Sequence, residues 1–196
     1  MLPDFRSVFP LRRGRVHEVT GPGATGFAAT LAGGGDGALI WLGEAWREEP
    51  LNPVGLARFF DPQRLLLAGA RSQADVLASA EEALRDGSAP VVVMEIRQTL
   101  GLTEGRRLQL AAKAGGTTGL CLIPDGAGSN AAETRWHAAP LFDPAGGEES
   151  TLMRWSLIKN KSGTLGAWDV RWDHAPRRIA VVSPVAERPG SALAPG

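Results

Sequence analysis

The chain has 196 residues, enough to bury one sizeable core, and nothing along it marks a second globular domain. Lysine plus arginine and aspartate plus glutamate both total 21, so the net charge is zero and no overall basic field exists to hold nucleic acid; a local patch would be needed. A single cysteine, Cys121, excludes an internal disulfide, the three histidines are not spaced as metal ligands, and no apolar run approaches the ~20 residues of a membrane span. Met1 to Leu11 lacks a signal-peptide core, and a soluble cytoplasmic protein is expected.

Residues 1–13, with Pro3 and Pro10 around Phe5, Val8 and Phe9, read as an arm ahead of the first strand, either extended or packed on the chain's own sheet. Arg15 to Thr30 then reads as strand, glycine loop and helix start. Gly21 and Gly26 carry the spacing of a phosphate-binding loop, Gly-x-x-x-x-Gly-Lys-Ser/Thr. In such a loop backbone N–H groups wrap phosphate, the lysine reaches the terminal phosphates and the hydroxyl holds Mg²⁺. Here the loop runs Gly21-Pro22-Gly23-Ala24-Thr25-Gly26, Phe27 stands in the lysine's place and Ala28 in the hydroxyl's. The spacing predicts the scaffold without its ATPase. No catalytic residue, bound ATP or metal is expected.

A helix over Ala28–Leu31 is ended by Gly33-Gly34-Gly35, and Asp36-Gly37 turns into a strand over Ala38–Leu42. Asn52 caps a helix with Pro53 at its first position, running through Phe59-Phe60 to Asp61-Pro62, followed by a strand over Leu65–Ala68. Ser72 with Asp75 predicts a capped helix to Arg85, stopped by Gly87. The unbroken apolar run Pro90–Met94 reads as a parallel strand buried on both faces. Thr103 caps a helix over Glu104–Ala114, and Gly119–Ile123, which holds Cys121 as a buried thiol, is another such strand. The pattern then changes. A turn over Ser129–Glu133 leads into Arg135–Ala139, and Leu152–Ile158, Ala167–Trp172 and Ile179–Val182 read as an antiparallel meander with Trp155, Trp168 and Trp172 paired across strands. The fold class is therefore α/β: a mostly parallel central sheet flanked by helices, then a C-terminal antiparallel meander. Residues 14–186 form the domain and 187–196 a disordered tail.

Gly14-Arg15-Val16-His17-Glu18-Val19 before Gly21-Pro22, Leu51-Asn52-Pro53, Glu81-Glu82-Ala83-Leu84, Glu133-Thr134-Arg135-Trp136-His137 and Lys159-Asn160-Lys161-Ser162-Gly163 span most of the chain. In this order they resemble the RecA core, and more closely the ImuA family, also called SulA-like: RecA-fold relatives that accompany error-prone DNA synthesis. The resemblance implies a RecA-like P-loop core and a non-catalytic part in translesion synthesis and mutagenesis within the bacterial SOS response to DNA damage. Its implied partners are an ImuB-like Y-family polymerase relative, an error-prone replicative-type polymerase and RecA itself.

By the same resemblance, Glu44 stands where RecA proteins orient the attacking water, and Glu95 where a metal-associated carboxylate ends its strand. Both read equally as carboxylates left without a task once Phe27 replaces the lysine. Lys159 and Lys161 match lysines that reach across a filament interface toward nucleotide, or else sit on a solvated hairpin tip. The segments corresponding to the RecA DNA loops, Arg97–Leu102 and Pro124–Asn130, hold one arginine between them and no aromatic residue, which makes direct DNA binding doubtful. Phe5, Phe9, Trp46, Arg135, Trp136, Lys159 and Lys161 are the candidate protein interface, because a tryptophan beside a charge is typical of interface hot spots; Trp46 and Trp136 read alternatively as covering the core edge. Three rival readings stand beside the adaptor: a nucleotide-binding ATPase whose cation comes from Lys159 or Lys161 of a neighbour, an SOS cell-division inhibitor, and a single-stranded DNA binder using the arginines of the arm and meander.

Overall fold

Among the described residues, nine strands pair into one sheet in the order β3-β2-β4-β5-β1-β6-β7-β8-β9. They are β1 (Val16–Thr20), β2 (Leu39–Glu44), β3 (Leu65–Ala70), β4 (Val91–Glu95), β5 (Thr118–Leu122), β6 (Thr134–Pro140), β7 (Ser150–Asn160), β8 (Gly166–Asp173) and β9 (Arg178–Pro184), with helices α1 (Ala24–Gly33), α2 (Pro53–Leu56), α3 (Gln73–Asp86) and α4 (Leu102–Gly115). The computed structural model describes residues 4–46, 51–143 and 149–184; the predicted tail at 187–196 lies outside them.

Every pairing from β3 to β6 is parallel, and β6 to β9 is antiparallel. The meander is thus the continuation of the parallel sheet, not a separate layer. Side-chain burial follows from this. β1, β4 and β5 are packed on both faces, β4 and β5 with apolar middles and β1 with the buried polar pair His17-Glu18, whereas β6 and β8 alternate buried with half-buried residues. Because successive residues of a strand point to opposite faces, two cores form. One holds α1, the arm, Trp41, Val93, Leu120 and the inner faces of β6 to β8. The other holds α3 and α4 against Val16, Leu42, Val92, Met94 and Cys121. Burial pushes the Cys121 thiol well above its ordinary value, with Glu18 adding to the effect, so it is an inert core residue.

Local chemistry sets the element ends. The Asn52 side chain accepts from the N–H groups of Val54 and Gly55, Ser72 accepts from Asp75 N–H, and Gly87 and Gly116 adopt the left-handed conformation that ends α3 and α4. Four expectations need correction. α1 begins at Ala24, inside the expected loop, and α2 is a single turn ending at Leu56, after which Asp61 caps a separate 3₁₀ turn at Pro62–Arg64. α4 is capped at Gly101 and not at Thr103. The arm is not extended: it makes a 3₁₀ turn at Phe5–Ser7 and packs Phe5, Phe9 and Leu11 into the first core.

Candidate functional site

In a sheet with this strand order, ligands sit at the carboxyl ends of the parallel strands, and the chain leaving β1 reaches that edge at Gly21-Pro22-Gly23. A phosphate cradle requires free N–H groups and empty space. At Gly23 and Ala24 the N–H groups are taken, and the space beside the turn is occupied. Gly23 N–H donates to Ala138 O (2.8 Å) and Ala24 N–H to Gly21 O (3.1 Å), while Pro22 has no N–H to give. A Cβ on Gly21 would lie 2.6 Å from Ala138 O and 2.7 Å from His137 Nε2, one on Gly23 within 2.9 Å of the Ala138 carbonyl carbon, and one on Gly26 3.1 Å from Met153 Sδ. The glycines are therefore explained by close approach of the turn to β6 and β7. Gly21 has the further demand of φ +90°.

The cation's place is filled as completely. Phe27 is fully buried, its ring centroid 4.3 Å from that of Trp155, 5.5 Å from Trp136 and 5.9 Å from Phe9. Phe5 stacks on Phe9 and meets Trp168 edge-on, and Trp155 lies directly opposite Trp168 across β7 and β8, the expected cross-strand pair. Phe5, Phe9 and Trp136, named above as interface residues, are thus core residues of their own chain: each fills space that Phe27 and Trp155 leave open. Ala28 is buried in the same cluster.

The opposite face of β1 carries a polar network. Glu18, almost fully buried, accepts from Ser129 N–H (2.7 Å) and from Arg135 Nε (2.7 Å), and Arg135 also donates to Ser129 O (3.0 Å). Arg135 lies so close to Gly128 that a Cβ there would fall 2.0 Å from its guanidinium. A register shift in the β6–β7 ladder pairs Arg135 with Lys159 and Trp136 with Leu157, leaving Ile158 as an extra residue. That bulge turns Lys159 away from the face of Leu157 and onto the face of Arg135. Lys159 Nζ then donates to Ser129 O, Asn130 O and Ala132 O, and Lys161 Nζ to Ala131 O (2.6 Å). All three ammonium donors of Lys159 are used within its own chain. Partial burial lowers its pKa, against the pull of Glu18. Segment 124–130, the counterpart of a DNA loop by resemblance, is tied down by these bonds, by Leu100 N–H to Ala127 O and by Thr20 Oγ1 to Asp125.

Beside it, His17 is buried with Nε2 on Arg12 O (3.0 Å) and Nδ1 on Thr134 Oγ1 (2.7 Å). A carbonyl only accepts, so Nε2 carries the proton; Thr134 then donates to Nδ1 and itself accepts from Trp136 Nε1 (2.9 Å). Burial lowers the His17 pKa to about 4.

The two carboxylates carried over by resemblance do not meet. Glu95 shares the α1 face with Trp41 and accepts its indole N–H (2.7 Å), whereas strand alternation puts Glu44, three residues after Trp41, on the α3–α4 face. Trp46 remains exposed beyond β2, with the Arg97 guanidinium 4.8 Å over its ring. Of the arginines that a nucleic-acid surface would need, Arg12 and Arg15 pair with Glu133, Arg154 with Asp169, Arg171 with Asp143 and Arg178 with Asp173. Sequence reasoning missed both the Glu18–Ser129–Arg135 network and the His17–Thr134 pair on the other face of β1. The signal was the adjacent polar pair His17-Glu18 inside the first strand.

These features define a class: an α/β protein whose strand–glycine turn–helix junction is filled by its own aromatic residues and its own β-strands. No protein-family profile matches the chain. Across 99% of its length it is 29% identical, over an alignment of 229 residues covering 92% of the other protein, to Protein ImuA of Caulobacter vibrioides, from strain NA1000 / CB15N and equally from strain ATCC 19089 / CIP 103742 / CB 15. The chain is therefore similar to ImuA over nearly its whole length. No helix among the described residues is long and apolar enough to cross a membrane.

Proposed function

We propose that this chain is a non-catalytic, RecA-like accessory protein of error-prone translesion DNA synthesis within the ImuA/ImuB mutagenesis system, acting by binding other proteins. The observation that carries the reading is Phe27: a fully buried ring at the hub of an aromatic cluster, where a working loop of this type has a phosphate-binding lysine. The relationship to ImuA over nearly the whole chain supports the pathway, and the ion-paired arginines support protein over DNA as the partner class. An ImuB-like Y-family polymerase relative is the first partner, with RecA and an error-prone replicative-type polymerase further ones.

Since nothing in this reading switches with nucleotide, complex formation should be indifferent to it. Size-exclusion chromatography with light scattering, on the purified chain mixed with the ImuB-like protein or RecA of the same organism, should give a complex of unchanged yield with or without ATP and Mg²⁺. Absence of a complex with either protein, or one that forms only with nucleotide, contradicts the proposal.

A further inference from the structure

Leu102, Arg106 and Leu110 recur at four-residue spacing along α4 and so share one stripe of the helix. The stripe is unusual for its apolar exposure: Leu110 is 68% exposed and Leu102 45%, while Leu108, Ala111 and Ala112 supply the buried face. It forms one wall of an open groove of about 340 Å³, whose other wall is Asn130, Ala131 and Lys161 and to which Gln109 contributes. The groove is built from fixed parts. Gln109 Nε2 donates to Val16 O (2.8 Å) and Ala131 O (3.1 Å), and Lys161 Nζ is held on Ala131 O, which leaves two of its N–H groups for a ligand. Among the described residues, the charged ones lining it are two cations, Arg106 and Lys161, and no carboxylate lines it. Arg107, one residue on, is by contrast paired with Glu81.

We infer that this groove docks an acidic amphipathic segment of a partner protein, whose apolar side chains lie against Leu102 and Leu110 and whose carboxylates meet Arg106 and Lys161. Charge complementarity sets the sign of the partner, since apolar area flanked only by cations repels a basic segment. Aliphatic walls without an aromatic ring disfavour a nucleic-acid strand, which is gripped by stacking its bases. The inference deepens the adaptor reading by giving a partner's chemistry, and it rests on that reading only in taking the partner to be a protein.

The test uses the full chain and a fluorescently labelled synthetic helical peptide, with leucines at three- and four-residue spacing and glutamates between them, read by anisotropy. A peptide with lysine for every glutamate and a single-stranded oligo-dT are the comparison probes. The glutamate peptide should bind, weaken as salt rises, and bind about tenfold more weakly to Leu110→Glu and to the Arg106→Glu/Lys161→Glu pair, with the lysine peptide and oligo-dT weaker still. Leu110 and Arg106 are exposed, so an unchanged thermal midpoint identifies the loss as one of binding; Leu110→Ala, which adds no charge, should also weaken the peptide. Equal binding of both peptides, binding unaffected by the substitutions, or preference for oligo-dT overturns the inference. Failure here alongside a stable complex with the ImuB-like protein would remove the groove and leave the adaptor reading standing.

Discussion

Phe27→Lys, which restores the lysine of a phosphate loop in name, is expected to unfold the protein and not to create an ATPase. Phe27 is 0% exposed and its ring touches those of Trp155, Trp136 and Phe9. Removing a buried phenylalanine ring costs about 3–5 kcal/mol through lost transfer energy and the cavity left behind. Lysine in the same place must also bury an ammonium among aromatic rings, a further cost of several kcal/mol on the order of that for a buried ion without a fitted partner. Against a total stability of about 5–15 kcal/mol this removes most of the native population. Denaturant unfolding should rank the midpoints as wild type, then Phe27→Leu, then Phe27→Ala, with Phe27→Lys lowest or without a transition. A Phe27→Lys protein with the wild-type midpoint would mean that the cluster opens readily toward solvent.

Acidification from pH 7 to pH 4 should destabilise the chain by about 3 kcal/mol through His17 alone. The sign follows from the direction of the shift. Burial lowers the His17 pKa from 6.5 to about 4, so between these values the unfolded chain binds a proton that the native chain refuses. The contribution is complete above the unfolded pKa, falls away as pH drops through the window, and changes no further below the folded pKa. Other groups also titrate in this range, so the relevant quantity is the difference between wild type and His17→Gln, in which the imidazole is gone. The variant is expected to be less stable at pH 7, because Arg12 O and Thr134 lose a geometrically fitted partner, and to show the shallower pH dependence between pH 4 and 6.5. Parallel pH profiles for the two proteins would show that His17 is protonated in the native state.

The legible parts of this fold were those governed by local chemistry. Asn52, Ser72, Gly87 and the unbroken Val91–Met94 run marked caps, a stop and a buried parallel strand because each depends on neighbours a few residues away. The alternation of β6 to β8 was legible for the same reason, but its attachment to β1 through the parallel β1–β6 pairing was not, since register across more than a hundred residues leaves no local trace. The substitution of the phosphate-loop cation was plain at Phe27. What replaced the phosphate was hidden, because Phe5, Phe9, Trp136 and Met153 come from three distant segments. The placement of Lys159 and Lys161 was hidden for a related reason. Alternation alone puts them on one face, but only the bulge at Ile158 decides that the face is that of Arg135 and the turn at 129–132.

The central claim is that the junction between β1 and α1 is filled by the chain itself and holds no nucleotide. Its most direct test is an isothermal titration of the purified protein with ATP and Mg²⁺, run beside a phosphate-release assay. The account predicts no saturable heat and no turnover above a protein-free blank. Saturable micromolar binding or measurable hydrolysis would contradict it, and would require the turn at Gly21–Gly23 to part from Ala138 and Met153 in solution.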